Sequence, residues 1–202
     1  MAALTRIFVE AGAKRAFASA ADWPGWCRSG KDEAAALANL VAYAPRYAKV
    51  TRLARINLPE DATAFKVVER LKGNATTDFG APGIPAQSEA KPMSAADTRR
   101  MLALLEASWK YLDQVKAKVP QELRKGPRGG GRDRDKMYRH VIESEQGYAP
   151  QIGVRMNEHD RDALLEALRK PVPGAKWPPA YAVRRIAWHA LDHAWEMEDR
   201  IP

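Results

Sequence analysis

The chain has 202 residues, 46% of them hydrophobic and 29% charged, and its 33 Lys and Arg against 25 Asp and Glu give a formal net charge of +8. This composition is that of a folded protein and excludes a disordered chain, while a single cysteine excludes an internal disulfide and any zinc site built on two or more cysteines. No apolar run approaches the ~18 residues of a membrane span, and Glu10 interrupts any signal-peptide core, so we expect a cytoplasmic protein without a membrane partner.

The first 80 residues carry short runs that are typical of strands. Residues 5–10 alternate in polarity, residues 14–20 form a second run after a hairpin turn at 11–13, and residues 65–71 are a third strand candidate. Helical spacing over residues 31–43 predicts a helix that ends at Pro45 or restarts after it. We therefore expect residues 1–80 to form a small sheet-plus-helix module.

The rest of the chain is predicted to be helical. Residues 81–92 are rich in proline and glycine and are expected to form a linker. Apolar residues then recur at helical spacing in four segments of residues 93–202, and the third of these segments is expected to begin at Asn157. The connections are mostly short, which favours an antiparallel four-helix bundle. The expected fold class is thus α+β, with the small module followed by the bundle.

Histidines supply the clearest chemical signal. Two of the four, His189 and His193, lie four residues apart on the predicted last helix, so both project from one face, about one turn apart. One helix can present two nitrogens to a single metal ion in this way. His140, on the predicted second helix of the bundle, is the candidate for a third ligand. The alternative is that these histidines only form hydrogen bonds in a bundle core.

Charged residues border the paired histidines. Arg185 and Glu196 continue the same stripe of the last helix, and Glu145 lies on the helix of His140. We expect Arg185 to hold an anionic substrate or to pair with an acid, and Glu196 or Glu145 to act as a base or to orient an imidazole. His159 lies among charges at a helix start and is expected to be exposed. Cys27 is expected to be a buried, unreactive thiol.

A basic, glycine-rich loop at residues 124–134 adds a second signal. It contains Arg124, Arg128 and Arg132 but lacks the interleaved aromatic residues of a single-strand binding platform. The loop is therefore interpreted as a solvated loop, as a lid or anion clamp over the metal site, or as a nucleic-acid contact supported by charge alone. No nucleic-acid partner is expected.

The C-terminal part resembles the DinB/YfiT-like bundle superfamily. The matching stretches are YRHVIESE at residues 138–145 and RIAWHALDHAWEME at residues 185–198, and the resemblance covers roughly residues 93–202. It implies a divalent metal on His140, His189 and His193 (the histidine triad), and several members are transferases or isomerases that use a low-molecular-weight thiol such as mycothiol or bacillithiol. Zinc, nickel, manganese and iron all suit imidazole ligands. The basic loop is not a general feature of that superfamily.

The N-terminal part resembles the HicB-like small α+β domain. That fold places an Asp-x-Pro-Gly turn, here at residues 22–25, before a short strand, a glycine, here Gly30, and a helix, over about 40 residues. This resemblance implies a fold and no function.

Taken together, the histidines and the resemblance of the C-terminal part predict a metal-dependent transferase, isomerase or hydrolase acting on a small, anionic molecule. The alternative is a non-catalytic metal-binding regulator that docks a partner through the N-terminal module. A homodimer is compatible with either function.

Overall fold

The computed structural model describes residues 4–126 and 131–202. Over these residues the fold is mixed α+β, the class that the sequence predicts. It has 52% helix, a four-stranded sheet and seven α-helices. The strands are β1 (Thr5–Ala11), β2 (Ala16–Ala20), β3 (Cys27–Gly30) and β4 (Phe65–Lys72). Their order is β3-β2-β1-β4; β2 is antiparallel to both neighbours, and β4 runs parallel to β1.

Two consecutive helices cross between β3 and β4. Helix α1 (Glu33–Ala42) begins after Asp32, whose carboxylate accepts a hydrogen bond from the backbone N–H of Ala35 and so caps the helix. Helix α2 (Ala44–Leu53) follows after one residue, with Pro45 in its first turn, where a missing N–H costs nothing. The chain therefore restarts a helix at this proline.

The proline-rich segment 81–92 is held against the sheet. Helix α3 (Ala75–Phe79) precedes it, and a short 3-10 helix, Gln87–Ala90, lies within it. The buried carboxylate of Glu10 in β1 accepts hydrogen bonds from the backbone N–H groups of Gly83 and Ile84, at 2.9 and 3.1 Å. The segment thus packs as part of the folded body.

Four α-helices make up most of the C-terminal half. They are α4 (Ala95–Lys118), α5 (Arg134–Tyr148), α6 (Arg161–Arg169) and α7 (Pro179–Asp199). Ser94 caps α4 through the N–H of Asp97, as the sequence predicts. The expected start of α6 at Asn157 is wrong, because Asp160 is the residue whose carboxylate accepts from the first N–H groups of that helix. Helix α7 packs most extensively on α4 and also contacts α5 and α6.

Helix α7 is the central element of the structure, since 14 of its 21 residues are buried. One hydrophobic core runs from the sheet, with Ile7 and Trp26, to the helices, with Leu104 and Ile186. The turn before β3 approaches α7 closely: a Cβ added to Gly25, which has a φ of +89°, would lie 2.6 Å from Leu191 Cδ1. None of the described helices combines the length and the apolar character needed to span a membrane.

Candidate metal centre

The histidine triad converges in space. His189 and His193 project from α7, and His140 reaches them from α5. The ring centroids of His140 lie 5.1 Å from those of both other histidines, and the centroids of His189 and His193 are 4.7 Å apart. One candidate ligand nitrogen from each ring lies within 4.8 Å of the other two. The expected convergence of two helices on one point is thus present.

These distances suit one small cation after a slight closure. Nitrogens that each lie about 2.0–2.1 Å from one tetrahedral zinc ion are ~3.4 Å apart, so ligand atoms within 4.8 Å need to approach by about 1.4 Å at most. His189 Nδ1 is also buried and has no hydrogen-bond partner in residues 4–126 and 131–202. An unpartnered buried nitrogen is costly, and a metal bound by this nitrogen would relieve that cost. The residues present therefore fit a divalent metal.

Electrostatics keep two of the three imidazoles neutral. Burial lowers the pKa of His140, and the positive charges of Arg132 and His193 lower it further. Burial lowers the pKa of His189 well below its ordinary value, with additional contributions from His193 and Arg185. Neutral imidazole is the form that binds a metal, so this environment favours the ligand state near neutral pH.

Glu196 orients the third imidazole. Its Oε2 lies 3.1 Å from His193 Nδ1, which leaves His193 Nε2 for a ligand, and its Oε1 accepts from Arg200 Nη1 at 2.9 Å. Burial alone would raise the pKa of Glu196, but His193 and Arg200 lower it overall, so the group is a carboxylate. A carboxylate on the far nitrogen of a histidine is the usual outer partner in metal sites.

Arg200 connects this carboxylate to the basic loop. Its guanidinium donates to the backbone carbonyls of Arg124 and Arg132, at 2.7 and 2.9 Å. The charge of Arg132 in turn contributes to the lowered pKa of His140, so this end of the loop lies beside the histidine triad. Arg128 lies outside the described residues, and with it the central part of the predicted lid or clamp.

Arg185 lies on the other side of the triad, one turn before His189. Its side chain is buried, and its guanidinium carbon lies 4.6 Å from the ring centroid of Trp188 and 5.3 Å from that of Tyr148. Both rings neighbour His189, with centroid distances of 5.8 and 5.9 Å. The structure therefore places Arg185 at the site, as the sequence suggested.

Glu145 belongs to a different cluster. Its carboxylate is buried, accepts from Trp109 Nε1 at 2.7 Å, and contacts His159 Nε2 at 2.6 Å and Arg161 Nε at 3.2 Å. These contacts join α5 to α4 and to the start of α6 rather than to the triad. The expected exposure of His159 is wrong, because its imidazole pairs with this carboxylate and only 20% of the side chain is exposed.

Cys27 is buried, as expected, and burial raises the pKa of its thiol to about 12 despite a hydrogen bond from Ser19. Sequence reasoning overlooked Tyr148 and Trp188, which flank Arg185 and His189. Trp188 directly precedes His189, but its position on the helix alone does not predict that its ring lies at the site.

Comparison with protein-family models, curated proteins and solved structures finds no match for this chain.

Proposed function

We propose that the chain is a metal-dependent enzyme in which the histidine triad holds one divalent cation. The observation that carries the proposal is the approach of three ligand nitrogens from two helices to within 4.8 Å of one another. The orphan His189 Nδ1 and the Glu196 carboxylate behind His193 support it. The resemblance to DinB-like bundles favours the same three ligands, and the assignment of α4 to α7 to that bundle is part of this proposal.

The reaction class follows from three neutral nitrogens, which leave coordination positions open for an exchangeable ligand. When bound there, a divalent cation lowers the pKa of a water or thiol toward neutrality and polarises a carbonyl group. We propose a thiol-dependent transferase or isomerase, or a hydrolase, with a small anionic substrate. Mycothiol or a related thiol is the proposed co-substrate in the first case, and zinc, nickel, manganese or iron is the proposed metal.

The protein's own residues have distinct tasks in this proposal. His193 is held in one orientation by Glu196, which is itself fixed by Arg200. With both oxygens engaged, Glu196 is a positioning residue rather than a free base. Glu145 stabilises the helix pairing through Trp109 and Arg161. Trp188 and Tyr148 exclude water from the His189 side of the site.

Metal analysis tests the proposal directly. Protein purified without chelator, or reconstituted with each of the four metals, is expected to retain about one ion per chain. His189→Ala and His193→Gln are expected to lose it. His159→Gln is the matched control, since it changes the one histidine outside the triad and its amide can still donate to Glu145. Wild-type protein that retains no metal after reconstitution would refute the site.

Activity assays test the reaction class. Thiol-conjugation and ester-hydrolysis panels, run with and without chelator, are expected to show turnover that the chelator removes and the metal restores. The same loss is expected in His189→Ala and not in His159→Gln. Stoichiometric metal without any chelator-sensitive turnover would instead favour a non-catalytic metal-binding regulator.

A further inference from the structure

Two adjacent arginines of α7 have opposite environments. Arg184 is buried and forms a bidentate ion pair with Glu89, with Nε–Oε1 and Nη2–Oε2 distances of 2.7 and 2.8 Å. Arg185 is also buried, with 8% of its surface exposed, yet within residues 4–126 and 131–202 no carboxylate pairs with it. Arg185 Nη1 is a buried donor without a hydrogen-bond partner in these residues. A buried charge is costly unless it is paired, so Arg185 lacks the anion that Arg184 has.

A second unpartnered donor lies at the same place. The Arg185 guanidinium stacks against Trp188, and Trp188 Nε1 is also buried without a hydrogen-bond partner among the described residues. The rings of Trp188 and Tyr148 partly stabilise the cation by cation–π attraction. A ring face is not a conventional acceptor, so neither of the two N–H groups gains a normal hydrogen bond from these rings. Two donors and one positive charge are what a bound anion needs.

The position of these donors relates them to the metal centre. Arg185 precedes His189 by four residues, about one turn or ~6 Å along the axis, on the same face of α7. The two rings that lie against its guanidinium, Trp188 and Tyr148, are also 5.8 and 5.9 Å from the His189 ring, centroid to centroid. An anion on Arg185 would therefore lie beside the histidine triad, on the side away from Glu196 and Arg200.

We propose that Arg185, with the Trp188 indole N–H, binds the carboxylate group of a small substrate next to the histidine triad. A guanidinium is planar and matches a carboxylate with two parallel hydrogen bonds. A single buried cation also balances the one charge that a carboxylate group brings to it, whereas a phosphate dianion brings nearly two charges to the same point. The second cation near the triad, Arg132, is exposed, and its backbone carbonyl accepts a hydrogen bond from Arg200 on the Glu196 side of the triad. This inference names the substrate class of the proposed enzyme and rests on that proposal only for the reaction.

Carboxylate binding can be measured apart from metal and turnover. Succinate is titrated calorimetrically into the full chain, both metal-free and zinc-loaded, at fixed chloride concentration. Loss of one charge-assisted hydrogen-bonded pair predicts roughly ten- to hundredfold weaker succinate binding in Arg185→Gln. Arg185→Lys keeps the positive charge but cannot donate two parallel hydrogen bonds, so its affinity for succinate is expected to be severalfold weaker. Arg139→Gln removes an exposed charge next to His140 and is the matched control, with unchanged affinity.

The outcomes separate this inference from the proposed function. Arg185-dependent succinate binding in a chain that retains no metal would uphold the carboxylate site and refute the metal centre. Bound metal with no succinate binding, or with equal binding by wild type and Arg185→Gln, would refute the carboxylate site alone. Tighter binding of inorganic phosphate than of succinate would refute the assignment to a carboxylate. If Arg185→Gln does not fold, Arg185→Lys decides, and unchanged affinity in that variant counts against the proposal.

Discussion

Replacement of Glu196 by glutamine tests whether its carboxylate tunes the metal centre. In the native chain each carboxylate oxygen has one partner: Oε2 lies 3.1 Å from His193 Nδ1, and Oε1 accepts from Arg200 Nη1 at 2.9 Å. A glutamine carbonyl can still accept from His193, but its NH2 group then faces the Arg200 donor, so one contact is lost. Removing the partner of a metal-binding histidine typically costs 10- to 100-fold in affinity. Because 38% of the Glu196 side chain is exposed and solvent screens its charge, we expect the lower end, about tenfold or ~1.4 kcal/mol.

The assay is a zinc competition titration against a chromophoric chelator at neutral pH and fixed ionic strength. Glu143→Gln is the matched control, because it removes the same charge from an exposed position of α5 in the electrostatic reach of His140. The control is expected to change zinc affinity by roughly threefold at most. Equal affinities for the two folded variants would refute the argument that the charge of the Glu196 carboxylate strengthens zinc binding by His193.

Two further predictions concern stability and reactivity. Arg184→Met is expected to lower the free energy of unfolding, measured in urea, by about 3–5 kcal/mol, because it leaves the buried Glu89 carboxylate unpaired. The double variant Arg184→Met, Glu89→Leu is expected to recover most of that loss. A double variant as unstable as the two single variants added together would contradict this prediction. Cys27 is expected to react with a thiol reagent at mildly alkaline pH roughly a thousandfold more slowly in the native than in the unfolded chain, because burial raises the pKa of its thiol to about 12 from 9.0. Because the folded chain favours the protonated thiol, the contribution of Cys27 to the free energy of unfolding is complete below pH ~9 and is lost between about pH 9 and 12. Fast labelling of the native chain would contradict the burial of Cys27.

Sequence reasoning succeeded where the determinants are local. The helices at α4, α5 and α7 follow from apolar periodicity, from the Ser94 cap and from prolines at their ends. It failed where the determinant is tertiary. β3 has four residues without alternation, so periodicity does not predict it, and only the resemblance to HicB-like domains implied a short strand there. The parallel pairing of β4 with β1 joins segments more than 50 residues apart. Nothing local distinguishes such positions from loops.

The candidate site shows the same division. The spacing of His189 and His193 predicts that they share a face, and the structure brings His140 to them. The position of Glu145 could not be predicted, since it depends on Trp109 in α4 and on Arg161 in α6. Arg184 and Arg185 are identical neighbours in the sequence, yet Arg184 is paired with Glu89, which reaches α7 from a distant segment, and Arg185 has no acidic partner in the part of the chain that the structure describes.

The contrast between these two arginines also explains how the sheet contributes to the site. Consecutive residues of a helix point about 100° apart, so the rotation of α7 about its axis is fixed once Arg184 is bound by Glu89 and Leu191 is packed against Gly25. That rotation directs Arg185 and the histidines of α7 toward α5, where His140 lies. Core contacts between the N-terminal residues and α7 thus determine the direction in which His189 and His193 project. The same helix therefore carries both the shared core and two of the three candidate ligands.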